Sequence, residues 1–473
     1  MSEVLQMKKE KMGLMSCILM GIGSIIGASV FASTPIAIKI VGGHGIVIGF
    51  ILAALFVFVR SIPEMLLGSS LPATGGSYMY LSRLVHPVAG IMDAFNELVV
   101  GVMKIATMAL TFSTYFKYIV PSCPEQVSAC AAIIVFTIIS CFGLRFSSMV
   151  QNVCVAVLVV ALGCFIFMGW GNTAVSIGAM ISDTVQLSAL WAAMGIMHGS
   201  LIGANVLVYS AEEIDNPGKS IPIAYLVSTL FTAIVYALIG YVTVGVAEAD
   251  GFEAIFGIND LAQVADKFMG RGMFLFFIAG GALLAVVTSI NSAMMMFARI
   301  NFAAARDGLF PKAISNLNKH GAPVISLWFN SILAILGIIS GYNLEDVVKI
   351  TSIPGLFLTP VTFLAVYTIK YKYPNAYANR TIRTPHWLNC LLTTLAIALC
   401  LILGWYVFGT MQPRHYMLMV GYYAVALVYT IVRYNYLKKQ GISLFKDMSE
   451  IYQPWEELEK KSIEVLGDKA IRK

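Results

Sequence analysis

The chain has 473 residues, 58% of them hydrophobic and only 12% charged, with a mean hydropathy of +0.81 and a formal net charge of +6. That balance excludes an ordinary soluble globular domain. The excess positive charge falls between apolar runs, where anionic lipid accounts for it and no nucleic acid is needed as a partner.

Apolar runs of about 20 residues, the length that crosses about 30 Å of hydrocarbon, recur from Gly13 to Tyr436 and number about twelve. The predicted spans are 13–41, 45–70, 87–119, 126–145, 148–171, 189–211, 222–247, 271–305, 324–342, 345–370, 387–410 and 414–437. They describe an all-α polytopic membrane domain over 13–437, between an N-terminal tail of residues 1–12 and a C-terminal tail of 438–473. The first apolar stretch is too long for a cleavable signal peptide, so it is expected to stay in the mature protein. Counting Lys and Arg in alternate loops gathers Lys8, Lys9, Lys11, Arg83, Arg306 and Lys439 on one side. By the positive-inside rule that side is cytoplasmic, which puts both termini inside and the protein in the cell (plasma) membrane.

The first span carries Gly21, Gly23 and Gly27 with Ser24 and Ser29 where a lipid-facing helix has bulky apolar residues. Such a helix is built to break, and freed backbone survives in the bilayer only where it is buried in protein or lines a cavity. A ligand can then use the exposed N–H and C=O groups. The second span holds Arg60 and Glu64 four residues apart, an i, i+4 pair. In the third, Asp93, Glu97 and Lys104 share a helix face, and a charge inside the membrane marks function by default. Lys104 reads as a proton carrier, as the counter-charge of an anionic substrate group, or as one half of a structural ion pair between helices.

The sixth span repeats the pattern of the first: Gly195, Gly199 and Gly203 interrupt it, with His198 beside the expected break and Asn205 after it. Paired interrupted segments in the two halves of a chain point to an inverted-repeat transporter with its site at the midplane, here with repeats over about 13–171 and 189–370. His198 is either a titrating group or a packing residue. Glu212, Glu213 and Asp215 close the sixth span and read as solvated or as gate carboxylates. A short interfacial helix is expected between 248 and 267, and Asn291 and Ser292 in the eighth span face either the pocket or polar neighbours. After Lys439 the charge of Glu456, Glu457, Glu459, Lys460 and Lys461 predicts a solvated tail. The eight cysteines have no metal spacing and read as packing residues; Cys123 and Cys130 flank an outer loop.

Four motifs together resemble the amino acid–polyamine–organocation family of permeases and antiporters. Gly23-Ser24-Ile25-Ile26-Gly27-Ala28-Ser29-Val30-Phe31 is similar to its first-helix signature, and Leu71 to Tyr80 to the loop after the second helix. Glu213 to Ala224 resembles the end of the sixth helix, and Ala305-Arg306-Asp307-Gly308-Leu309-Phe310-Pro311 the end of the eighth. The resemblance implies a LeuT-type five-plus-five inverted repeat with helices 1 and 6 broken. It also implies that a substrate carboxylate sits on the amides of Gly27, Ala28 and Ser29, with the ammonium on the carbonyls of Ile25, Gly199 and Ile202. Gly203 and Asn205 complete the expected substrate-binding set.

Departures from the family pattern matter. Asn205 stands where many members have a titratable Glu, Gly199 where some have an aromatic gate, and Leu158 where some have a lysine that replaces sodium. Thr288 and Ser289 align with a sodium-site position of this fold, and the alternative is that their hydroxyls bond their own helix. No cofactor is expected; the coupling ion is H+ or Na+. The partners are an amino acid or amine and the lipid bilayer, for a monomer or homodimer.

The reading is a secondary active amino acid transporter working by alternating access, as a permease or an amino acid/amine antiporter. A polyamine or other organocation exchanger, or a sensor on the same fold, stands as the alternative. No Ser/His/Asp set, H-E-x-x-H or phosphate loop suggests an enzyme.

Overall fold

The computed structural model describes residues 11–142, 144–182, 186–257, 260–340, 354–381, 383–408, 413–449, 452–466 and 471. Among them there is no strand, only the isolated bridges Met12 to Ile214 and Thr74 to Ser210. The order is α1 Leu14–Ile25, α2 Ala28–Val41, α3 Ile46–Ser70, α4 Gly76–Tyr80, α5 Pro87–Phe116, α6 Glu125–Cys141 and α7 Leu144–Trp170. Then come α8 Ile177–Ser182, α9 Leu187–Leu201, α10 Val206–Tyr209, α11 Pro217–Glu248, α12 Leu261–Phe268, α13 Arg271–Arg306 and α14 Val324–Ile339. The chain closes with α15 Ala365–Lys372, α16 Pro374–Ala378, α17 His386–Phe408, α18 Pro413–Lys439, α19 Leu444–Ser449 and α20 Gln453–Leu466.

Eight helices among the described residues are long and apolar enough to cross a membrane, and α1, α6 and α14 are shorter apolar helices. The chain is an all-α, multi-pass membrane protein. The predicted span 345–370 begins in residues outside the described set.

The first predicted span is two helices, α1 and α2, and the sixth is α9 and α10, so both interruptions lie where glycine and serine replace bulky side chains. α13 has a π-helical stretch, Phe277–Leu283, around Gly280 and Gly281. An extra residue per turn of this kind rotates the remainder of the helix, including the polar run Thr288 to Ser292. The expected short helix between 248 and 267 is α12, which Asp260 caps by accepting from the Gln263 N–H at 3.0 Å.

Met12 and the C-terminal helices α19 and α20 lie at one end of the bundle, called here the terminal face. The Met12 N–H donates to the Glu213 carbonyl at 2.9 Å, and the Asp215 N–H returns to the Met12 carbonyl at 2.9 Å. The C-terminal segment departs from the solvated tail expected of it. Trp455 is fully buried, stacks on Tyr80 with centroids 5.8 Å apart, and donates from Nε1 to the Pro72 carbonyl at 2.9 Å. Glu459, also buried, accepts from the backbone N–H groups of Asn375 and Ala376 at 2.9 and 2.7 Å, at the start of α16. Of the charges that suggested solvation, Glu457, Lys460 and Lys461 are exposed on the outer side of α20, whereas Glu459 lies with Trp455 and Ser462 on its buried inner side, because the backbone N–H groups at the start of α16 satisfy its carboxylate. All eight cysteines are free thiols, Cys123 and Cys130 included.

Candidate functional site: the two broken helices

The break in the first helix is short. The Ile26 N–H still bonds the Ile22 carbonyl at 2.7 Å, and the Gly27 N–H folds back on the Ile25 carbonyl at 2.8 Å. The N-cap of α2 is Gly27, and no side chain caps that end. The first amides of α2, from Ala28 onward, therefore point along the helix axis with no intrahelical acceptor, at the positive end of its dipole.

The break in the sixth helix lies at residues 202–205. Gly199 and His198 sit inside the last turn of α9, and Ile202 is the extended residue that ends it, with φ −92° and ψ 124°. The Ile202 N–H makes no capping bond among the described residues, so the carbonyls of that last turn lack intrahelical donors. The chain then turns through Ala204 and Asn205 into α10.

The two breaks touch backbone to backbone. A Cβ on Gly203 would stand 2.4 Å from the Ser24 carbonyl oxygen and 2.7 Å from the Ile25 nitrogen. Gly203 is thus required by close approach, and the contact sets the turn that follows α9 against the last residues of α1, just before the Gly27 N-cap of α2. A Cβ on Gly27 would stand 2.0 Å from Ser289 Oγ, and the nearest α5 side chain, Met108, has its Cε 3.8 Å from that point.

The remaining candidates fall around this contact. The Ile25 carbonyl accepts from the Tyr236 hydroxyl at 2.9 Å as well as from Gly27, so its acceptor capacity is already met within the protein. Ser289 Oγ donates to the Gly23 carbonyl at 3.4 Å and Thr288 Oγ1 to the Ala285 carbonyl at 2.9 Å. His198 is buried with Nδ1 2.9 Å from the Gly195 carbonyl and its ring edge-on to Phe56, which ties it to its own helix. Asn205 is 8% exposed, and its Oδ1 has no partner among the described residues. Leu158 is fully buried in α7. Ala28 and Ser29 are the first two residues of α2, which places their backbone at the break.

Two partners were not legible in the sequence. Tyr236 is one; it lies in the middle of α11, far along the chain from Ile25, and a tyrosine in a span carries no mark of such a role. The other is a polar knot beside Gly23: Asn291 Nδ2 donates to Gln151 Oε1 at 2.9 Å and Gln151 Nε2 to Ser292 Oγ at 2.7 Å.

A second group of polar side chains occupies the half of the bundle toward the terminal face. Arg60 and Glu64 pair at 3.2 Å, and Glu64 also accepts from the Tyr225 hydroxyl at 2.7 Å. Asp93 accepts from Ser77 Oγ at 2.7 Å, and Ser77 accepts from the Tyr209 hydroxyl at 3.0 Å. Glu97 is 3% exposed and, among the described residues, receives a single 3.4 Å contact, from Asn96 Nδ2. Lys104 lies within Coulomb range of Glu97 and Arg60.

At the terminal face Glu212 and Glu213 are engaged rather than solvated, whereas Asp215, the third carboxylate of that end, is exposed. Arg299 Nε donates to Glu213 Oε1 at 2.7 Å, both side chains largely buried. Glu212 accepts from Thr74 N–H and Oγ1, each at 3.0 Å, and from the Tyr452 hydroxyl. That hydroxyl is held above its ordinary pKa by burial and by the Glu212 charge. Asp307 accepts from Tyr78 Oη and pairs with Arg83, both at 2.9 Å. Among the described residues no His, Cys, Asp or Glu set is arranged to hold a metal ion.

Residues 12–432 match the family model described as amino acid permease. The chain belongs to the amino acid permease family. Its relatives include the branched-chain amino acid permease BcaP of Bacillus subtilis, 23% identical over 84% of this chain and 89% of the relative. The methylthioribose transporter of the same organism is 23% identical over 76% of this permease and 81% of its own length. The human large neutral amino acids transporter small subunit 2 is 25% identical over 78% and 71%. The match begins at Met12, the residue bonded to Glu213, so the permease core starts where the chain joins the terminal face.

Proposed function

We propose that this permease is a secondary active transporter of neutral amino acids, working by alternating access, with a binding site at the Gly203 to Ser24 contact. The observation that carries the reading is the backbone contact between the two breaks at Gly203 and Ser24: the uncapped amides of α2 begin just after one break and the undonated carbonyls of α9 end just before the other. A zwitterion needs those two things at once, an anion site and a cation site a few ångströms apart. The α-carboxylate takes the amides of Ala28 and its successors in the first turn of α2. The α-ammonium takes carbonyls from the end of α9, among them Gly199 and Ile202, rather than that of Ile25, which Tyr236 occupies.

Backbone groups recognise what all amino acids share, so side-chain choice falls to the surrounding walls. Gly199 supports a roomy wall, because a Cβ there would meet nothing within 4 Å. Met108 beside Gly27 adds an apolar surface. The branched-chain and large neutral amino acids in the relatives' names agree with this preference. The basic residues favour a cytoplasmic terminal face, where the Arg299–Glu213 pair and the docked C-terminal segment close the inner path.

The test is uptake of a labelled amino acid panel into proteoliposomes, with and without internal substrate. Saturable uptake of leucine-like substrates is expected, with competition by other neutral amino acids and none by polyamines. Binding without flux under every condition would replace the transporter by a sensor.

A further inference from the structure

Among the described residues, the charged groups that α3 and α5 bring together inside the bundle do not balance. Three carboxyls, Glu64, Asp93 and Glu97, face two cations, Arg60 and Lys104. Arg60 is committed to Glu64 at 3.2 Å. Asp93 and Glu97 are one helical turn apart on α5, each 3% exposed, and neither has a cation at ion-pair distance among the described residues. Two buried carboxylates so placed repel and are poorly solvated, the setting in which neighbouring carboxyls share a proton.

Three further observations give that proton a purpose and a route. Asp93 Oδ1 is buried with no hydrogen-bond partner, leaving one oxygen of the pair without a donor. A cavity of about 10 Å³, room for about one water, is lined by Glu64, Ser77, Tyr80 and Tyr209, and its Ser77 is the residue bonded to Asp93. Finally, the groups form a series along α5. From its start at Pro87, Asp93, Glu97 and Lys104 lie about 9, 15 and 26 Å along the helix, and the next turn is Met108 beside Gly27.

We propose that Asp93 and Glu97 form a proton-binding pair, loaded from the terminal face through Ser77 and the adjoining cavity, and coupled to the substrate site through Lys104. The inference rests on the zwitterion site proposed above. Loading is simple protonation: a carboxylate oxygen takes a proton from water and becomes a neutral carboxyl, and unloading reverses it. Coupling is electrostatic. When a substrate carboxylate docks at α2, the positive charge of Lys104 is shared with it, the carboxyl pair loses part of its compensating field, and its proton is held more tightly. By reciprocity the proton tightens substrate binding by the same factor, which makes the transporter a proton symporter.

Among the described residues, the other charges and titrating groups facing the pair are few. The fields of Glu64 and Arg60 on α3 reach Glu97, as does that of Lys104. Tyr209 on α10 and Tyr423 on α18 face both carboxyls. Arg60 in turn faces His198, Tyr225 and Cys400.

The experiment measures leucine affinity of the purified full-length protein by its melting-temperature shift over roughly pH 5 to 9, and proton entry into liposomes with a trapped pH dye during leucine uptake, with sodium present or absent. Expected are an affinity that weakens by up to about tenfold per pH unit on the alkaline limb and leucine-driven acidification independent of sodium. In Glu97→Gln and Asp93→Asn, which preserve shape, the acidification falls at least about tenfold and the pH dependence flattens, while a substrate-dependent melting shift shows that each variant is folded. Leucine uptake with no proton entry and flat affinity in the parent protein overturns the proton pair and leaves the amino acid site standing. Variants that retain the parent's pH dependence overturn it as well. No leucine binding or uptake at any pH overturns the substrate site itself.

Discussion

The Tyr236 hydroxyl donates to the Ile25 carbonyl at 2.9 Å, so a residue in the middle of α11 holds the broken end of the first helix. Tyr236 is fully buried and its ring packs edge-on against Phe50, which leaves the hydroxyl little freedom to do anything else. The bond fixes where α1 stops and therefore where the amides of α2 begin.

Tyr236→Phe keeps the ring and removes that bond. A stability loss of about 1 kcal/mol is expected, the usual net worth of a hydrogen bond whose partner stays buried. Uptake kinetics should show a raised KM with a smaller effect on kcat, since the change is in the shape of the bound-state site. Thermal unfolding and uptake assays read the two effects.

The glycine contacts make a contrast. In Gly203→Ala the new Cβ meets the Ser24 backbone, which cannot rotate away, so transport should be abolished and unfolding should come at lower temperature. In Gly27→Ala the obstacle is the Ser289 side chain. Adding Ser289→Gly should recover part of the function, less about 1 kcal/mol for glycine within a helix. No second substitution at Ser24 should rescue Gly203→Ala.

Arg299 and Glu213 form a buried pair at 2.7 Å between α13 and the end of the sixth helix. Removing one partner strands the other, at a cost of about 3–5 kcal/mol, whereas replacing both by apolar or neutral residues is nearly neutral. Arg299→Met alone should therefore destabilise more than Arg299→Met with Glu213→Gln. A double-mutant cycle on melting temperature checks this, and cysteine accessibility near Met12 should rise in both variants as the terminal face loosens.

Trp455 is the anchor of the C-terminal segment. Trp455→Ala removes a fully buried indole and its bond to Pro72, and the expected local cost is about 3–5 kcal/mol. Limited proteolysis should then cut near α20 in the variant and spare it in the parent protein. Unchanged protease resistance would show that Glu459 and Tyr452 hold the segment without the indole.

Much of the architecture could be read directly. Long apolar runs must become helices in lipid, since no other local structure satisfies their backbone groups there. Both breaks were visible because glycine and serine replaced bulky side chains at Gly23 to Ser29 and again near Gly203. The Arg60–Glu64 pair followed from helical spacing alone, and the shared face of Asp93, Glu97 and Lys104 did too. Family membership rests on the same local motifs, which the match over residues 12–432 extends to most of the chain.

What the sequence could not supply were relationships between distant segments. It showed that Glu213 and Trp455 are polar or aromatic residues near helix ends, where exposure is the ordinary expectation. Their burial depends on Arg299 and on the Tyr80 and Pro72 surface, which other parts of the chain bring to them. The same holds for Gly203: periodicity marks it as a break, and only packing against Ser24 makes it an obligatory glycine. Hydrophobic length and helix breaking are local properties, set by each segment's own transfer energy and backbone freedom. Which carbonyl is occupied, which carboxyl lacks a cation and which helix ends face each other are set by long-range packing, and these decide the chemistry of the site.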